Sequence, residues 1–231
     1  MITQSEANVL AHHHEAVRIP CERGVLEGDL EIPAKAHSLV LFAHGSGSSQ
    51  YSHRNQLVAR ILREAGMGTL LFNLLTAQEQ REDEITSQIR YDIEPLADRL
   101  VEVTDWARRH RPHHAIGYFG SSTGAAVALL AAAEMGTPIA AVVSRGGRPD
   151  LAGDNLPRVL APTLLIVGER DTEILRLNER AFAELHSPKS FSIVPGATHL
   201  FAEPGTLEKV ATLTADWFRR YLTADETDRP S

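Results

Sequence analysis

The run Ala115-Ile116-Gly117-Tyr118-Phe119-Gly120-Ser121-Ser122-Thr123-Gly124-Ala125-Ala126-Val127-Ala128-Leu129-Leu130 decides the fold. An apolar, strand-like segment meets Gly-Ser-Ser-Thr-Gly and continues without a break into an alanine-rich helical segment. That is the strand–turn–helix setting a G-x-S-x-G nucleophile elbow requires, and Ser122 is its centre. A serine hydroxyl is a weak nucleophile at neutral pH, so it must stand where a base can reach it and an acyl carbon can approach. Gly120 tolerates the sharp turn, and Gly124 lets the helix pack close under a strained residue. The helix that starts there also points its amide dipoles at a developing oxyanion. The competing reading is a small-residue turn that merely lets a helix lie on a sheet. The placement between strand and helix favours the nucleophile.

Outward from the elbow, strands and helices alternate. Upstream, Ala16 to Ile32 alternates as two strands joined near Glu22-Arg23-Gly24, an expected antiparallel hairpin at a sheet edge. Ser38-Leu39-Val40-Leu41-Phe42-Ala43-His44 is a continuous apolar strand of the doubly buried kind. It runs into Gly45-Ser46-Gly47-Ser48-Ser49, a turn suited to presenting backbone N–H groups. The turn lacks the Lys-Ser/Thr end of a P-loop and the spacing of a dinucleotide fingerprint, so an oxyanion hole is the preferred use. A helix is expected over 54–65 and a strand over 69–74. Residues 76–90, dense in Gln, Glu and Arg, read as a solvated excursion or a mobile flap. A helix follows over 93–110.

Downstream, a strand over 139–144 leads into Arg145-Gly146-Gly147-Arg148-Pro149-Asp150, where the arginines either read a substrate carboxylate or pair with nearby acids. A strand over 163–168 delivers Glu169-Arg170-Asp171. A helix over 173–185, a strand over 191–194, the turn Gly196-Ala197-Thr198-His199-Leu200-Phe201 and a last helix over 206–221 complete the chain. Residues 223–231 read as a flexible tail, giving one domain over 1–222.

Composition fits this picture. The chain has 231 residues, 43% hydrophobic and 23% charged, which suits one α/β domain with a sizeable core. A net charge of −7 argues against nucleic acid as a partner. The single cysteine, Cys21, forms no internal disulfide and fits a reducing compartment. Without a basic, apolar leader or a run of eighteen apolar residues, the expected location is cytoplasmic, away from membranes. Three adjacent histidines, His12 to His14, cannot all face one ion in an extended strand, so no metal site or cofactor is expected.

The alternation implies a mainly parallel sheet with helices on both faces and no large cap domain. Ser46, Ser122, Asp171 and His199 all fall where strands end, which is where such sheets bind ligands. The order Ser, Asp, His is that of the hydrolases carrying this elbow. In this reading His199 takes the Ser122 proton, Asp171 orients the imidazole, and the N–H groups of Ser46 and Thr123 hold the oxyanion. Arg145, Arg148 and Phe201 are the candidates for substrate contact. Ser121, Glu169, Glu173 and His44 are the rivals for the catalytic roles.

The segments 42–49, 120–124, 144–153 and 194–201 together resemble the dienelactone hydrolase-related branch of the α/β-hydrolases. More narrowly, they resemble small bacterial hydrolases that are sometimes fused to phosphoribosyltransferase domains. The resemblance implies an eight-stranded hydrolase sheet and the triad Ser122, Asp171 and His199. Dienelactone hydrolases proper use a cysteine nucleophile, so the serine here points to ester chemistry and not to dienelactones. The function expected is a serine hydrolase acting on small carboxylic esters, or on thioesters or amides. The alternatives are a non-catalytic small-molecule-binding protein and an acyltransferase. The sequence leaves a monomer and a dimer equally open.

Overall fold

The computed structural model describes residues 13–45 and 49–222, so Ser46 and the tail at 223–231 lie outside the described residues. Eight strands form one sheet in the order β1-β2-β4-β3-β5-β6-β7-β8. They are β1 (His13–Cys21), β2 (Gly24–Ile32), β3 (Ser38–Ala43), β4 (Gly68–Phe72), β5 (Ala115–Ser121), β6 (Ile139–Arg145), β7 (Thr163–Gly168) and β8 (Lys189–Val194). The expected hairpin is at the edge: β1 pairs antiparallel with β2, and β2 pairs antiparallel with β4. From β4 to β8 every pairing is parallel, so β2 alone runs against the others.

Burial explains the middle of the sheet. Every residue of β3, β4 and β7 is buried, which only a strand covered on both faces can be. Helices α1 (His53–Glu64) and α6 (Thr206–Leu222) cover one face, where Phe42, Phe119, Val143 and Ile166 meet Val58, Leu62, Val210 and Phe218. Helices α3 (Ile93–His110) and α4 (Thr123–Met135) cover the other, where Leu41, Tyr118 and Val142 meet Leu100, Val103, Ala126 and Leu129. Helix α4 is buried on nearly all sides, and its alanines let it lie close to the strands. Under it the Tyr118 hydroxyl is satisfied. Thr104 Oγ1 donates to the Leu100 carbonyl at 2.7 Å and therefore accepts from Tyr118 at 2.6 Å.

One expectation changes. Within the 76–90 segment, Ala77–Thr86 is a helix, α2, although only Asp83 in it is buried and it has no apolar face. Its order comes from polar groups. Thr76 and Glu79 form a reciprocal capping box, Arg99 binds Glu79 through two 2.8 Å hydrogen bonds, and Arg90 grips Asp83. Helix α5 (Thr172–Glu184) follows β7 and completes the set. Among the described residues no helix is long and apolar enough to cross a membrane.

Candidate active site

The chain moves outward from β3 to β4 and then returns to place β5 on the other side of β3. Loops leaving β3 and β5 therefore diverge at a topological switch point, the crevice where open α/β sheets bind ligands. Ser122 stands there at φ 52 and ψ −125, a conformation that costs a non-glycine residue roughly 1–3 kcal/mol. Its backbone bonds hold it in place. The Ser122 N–H donates to the Arg145 carbonyl at 3.2 Å, and the Ser122 carbonyl accepts from Ala125 at 3.1 Å and Arg148 at 3.0 Å.

Two glycines let the surrounding chain close in. A Cβ on Gly124 would stand 2.2 Å from the Ala43 carbonyl oxygen and 2.6 Å from that of His44, so α4 begins directly against the end of β3. A Cβ on Gly45 would stand 2.8 Å from Ser122 Cβ and 3.5 Å from its Oγ. The β3 loop thus passes beside the nucleophile's hydroxyl. Thr123 opens α4 immediately after it.

Asp171 lies just past β7, its N–H bonded to the Gly168 carbonyl at 3.0 Å and its carbonyl accepting from Leu175 at 2.8 Å. His199 lies in the turn after β8. Backbone bonds stitch the two loops together: Glu169 N–H to Val194, Arg170 N–H to Ala197, and Gly196 N–H to the Glu169 carboxylate at 2.7 Å. The result is a 2.6 Å hydrogen bond from His199 Nδ1 to Asp171 Oδ2, with the carboxylate 13% and the imidazole 39% exposed. A carboxylate only accepts, so the neutral ring carries its proton on Nδ1 and offers Nε2 as a base. Gly146, next to the residue that binds the Ser122 N–H, places its missing Cβ 3.6 Å from His199 Nδ1. Imidazole and serine therefore flank the same β6 turn.

The rivals are otherwise engaged or misplaced. Ser121 is buried at the end of β5, Glu169 holds Gly196, and Glu173 is exposed on α5. His44 holds the loops: its Nδ1 donates to the Gly45 carbonyl at 3.0 Å and its Nε2 accepts the Leu74 N–H at 3.1 Å. Burial lowers its pKa, which keeps the ring neutral and this pairing intact. Leu74 continues the chain of contacts, because its carbonyl accepts from the Arg99 guanidinium that binds Glu79.

The substrate-side candidates separate. Phe201 is only 2% exposed: at φ 54 the turn drives its ring into the core with Ile166 and Val194, so it anchors the His199 loop from below. Arg148 makes a forked ion pair with Asp150 at 2.8–3.2 Å. Arg145 is 7% exposed and has no such partner among the described residues. Sequence reasoning missed Asn178, which donates from mid-helix to the Gly147 carbonyl at 2.9 Å and ties the β6 turn to α5.

A cleft of about 510 Å³ opens beside this machinery, with Gly45, Arg54, Leu74 and Leu75 on one side and Gln80 and Asp83 of α2 on the other. Neither Ser122 nor His199 lines it; Gly45 joins cleft to nucleophile.

A mostly parallel sheet with a strained serine at its switch point, and an Asp–His pair on its two late loops, defines the α/β-hydrolase class of protein. The chain belongs to that family: residues 36–215 match the family model described as an alpha/beta hydrolase domain. It is dienelactone hydrolase-related. The crystal structure of a dienelactone hydrolase from Anabaena variabilis is 50% identical, with a TM-score of 0.90 over 91% of this chain and 99% of that one. An α/β serine hydrolase without lid from Xanthomonas campestris shares the fold at 22% identity and a TM-score of 0.73, over 92% of this chain and 97% of that one. A Mycobacterium tuberculosis protein named "Putative phosphoribosyl transferase" is 52% identical over 211 residues, 90% of this chain. The chain spans about half the length of that curated relative, 46%.

Proposed function

We propose that the protein is a serine hydrolase that cleaves small carboxylic esters through an acyl-enzyme. The observation that carries this reading is the 2.6 Å Asp171–His199 bond set across the β6 turn from a strained, backbone-locked Ser122. His199 Nε2 removes the Ser122 proton as Oγ attacks the acyl carbon. The proton then passes to the leaving alkoxide, and water repeats the cycle on the acyl-serine. Asp171 fixes the tautomer and stabilises the imidazolium. Backbone N–H groups of Thr123 and of the Ser46 loop hold the oxyanion, each donor worth roughly 3 kcal/mol of barrier.

The volume of about 510 Å³ in the cleft that Gly45 joins to Ser122 supports small substrates. We assign the protein to the cytoplasm, which its lone cysteine supports. The transferase name of the M. tuberculosis relative does not carry over, because the match falls on the hydrolase domain and covers less than half of that protein. Labelling with a fluorophosphonate probe, followed by peptide mass spectrometry, tests the assignment. One label per chain on Ser122 is expected; a folded protein that takes none refutes it.

A further inference from the structure

Arg99 occupies a position on α3 that the pattern of the helix reserves for apolar residues. It shares the core face with Leu96, Leu100 and Val103, and its side chain is 5% exposed. Burying a guanidinium is costly unless its donors find acceptors. Glu79 meets part of that need through two 2.8 Å hydrogen bonds. An arginine that served α2 alone could stop there. Instead Nη1 also donates to the carbonyl of Leu74, a residue that is itself buried.

The position of Leu74 gives that bond its consequence. Asn73 and Leu74 follow directly after β4, and between them they hold both ends of the glycine-rich turn that leaves β3. At the entry, the Leu74 N–H donates to His44 Nε2 at 3.1 Å, while His44 Nδ1 donates to the Gly45 carbonyl at 3.0 Å. At the exit, Asn73 Oδ1 accepts the Gln50 N–H at 3.1 Å. This clamp has two hydrogen-bonded anchors among the described residues. On one side the Asn73 N–H donates to the Glu27 carbonyl at 3.1 Å, and on the other the Leu74 carbonyl rests on Arg99. Gly45, at the clamped entry, is the residue whose missing Cβ would stand 2.8 Å from Ser122 Cβ and 3.5 Å from its Oγ. A peptide group is planar, so holding the Gly45 carbonyl oxygen also fixes the direction of the N–H on the far side of that bond.

We infer that Arg99 is a positioning residue: acting through Leu74 and His44 it sets the β3 turn against Ser122, and with the same guanidinium it ties that setting to α2, the far wall of the cleft. The catalytic half of this inference rests on the acyl-enzyme reading; the link from Arg99 to the turn does not. Arg99 does not line the cleft, so its removal takes no contact from the ester. What it takes is the alignment of the turn at the moment of attack, a loss felt in the transition state and not in ester binding.

The Arg99→Met/Glu79→Met protein tests it, because the ion pair leaves as a unit and no charge is stranded. Two readouts are compared with the wild type. The first is stopped-flow acylation by p-nitrophenyl butyrate, read as the burst rate constant and the ester concentration at half saturation. The second is amide hydrogen exchange at Leu74 and Gln50, the two N–H groups of the clamp, with Phe119 and Val143 in the central strands as reference. Acylation should slow by about 10- to 100-fold while half saturation moves by less than about twofold. Protection at Leu74 and Gln50 should fall by about tenfold or more beyond any change at Phe119 and Val143. A double variant that acylates at the wild-type rate, one that loses rate only through weaker half saturation, or one that keeps Leu74 and Gln50 protected each overturns the inference. A wild type with no burst and no fluorophosphonate label, beside the expected exchange result, would refute the hydrolase reading and the catalytic half with it, and would leave Arg99 established as the anchor of the turn.

Discussion

The elbow around Ser122 and the α2 segment across the cleft both shape the site, but different forces hold them. The elbow is backbone packed on backbone. Its glycines press α4 against the end of β3, and three main-chain bonds pin a strained serine. Helix α2 has no apolar face and stands on ion pairs and a capping box. Close packing gives a position that nothing nearby can adjust, which a nucleophile needs. Polar pinning gives an element whose hold depends on a few side chains and on their charge.

Substitutions sharpen that contrast. The largest effect is expected at the elbow: Gly124→Ala drives a methyl into the Ala43 and His44 carbonyls, and neither can swing aside. It should cost about 4 kcal/mol or more, read as a lower urea midpoint. Next comes the pinning of α2. Arg99→Ala strands the Glu79 carboxylate and the Leu74 carbonyl and should cost about 3 kcal/mol. Arg99→Met combined with Glu79→Met should recover much of that loss, because the pair disappears together. Equal losses for the single and double variants would show that the ion pair is not what holds the helix.

The smallest effect is a pH dependence at the hinge between the two regions. His44 has its pKa lowered by burial from the ordinary 6.5, so as pH falls below about 6.5 the unfolded chain takes up a proton that the folded one refuses. Stability therefore declines on acidification through that range. For Glu79, burial pushes the carboxyl up, but hydrogen bonds from Arg99 and Thr76 together outweigh it and hold its pKa below 4.5. Its contribution is present above that value and fades only at more acid pH. Melting at pH 7.5 and 5.5 should show a smaller decline in His44→Gln than in the wild type; an equal decline would assign the effect to other groups.

The same division decides what can be read from the chain alone. The elbow, the alternation of strands and helices and the late Asp and His are local patterns, and the structure puts all three triad candidates on the expected loops. Helix α2 is only faintly legible locally: Thr76 and Glu79 have the spacing of a capping box, but the polar composition reads as loop and the partner that fixes Glu79, Arg99, comes from the following helix. Phe201 stands among the substrate-contact candidates in the sequence, and only the fold shows its ring buried in the core with Ile166 and Val194. Arginines present the same difficulty. Arg148 and Arg145 sit three residues apart in one turn, and only the fold shows that the first has an acid and the second does not.

The most direct test of the central claim is a stopped-flow burst with p-nitrophenyl acetate. If Ser122 forms an acyl-enzyme, the wild type should release nitrophenolate in a burst approaching one equivalent per chain, followed by slower turnover. Ser122→Ala should lose the burst and about 10⁴-fold or more of the rate while remaining folded. A burst of equal size in Ser122→Ala would contradict the account.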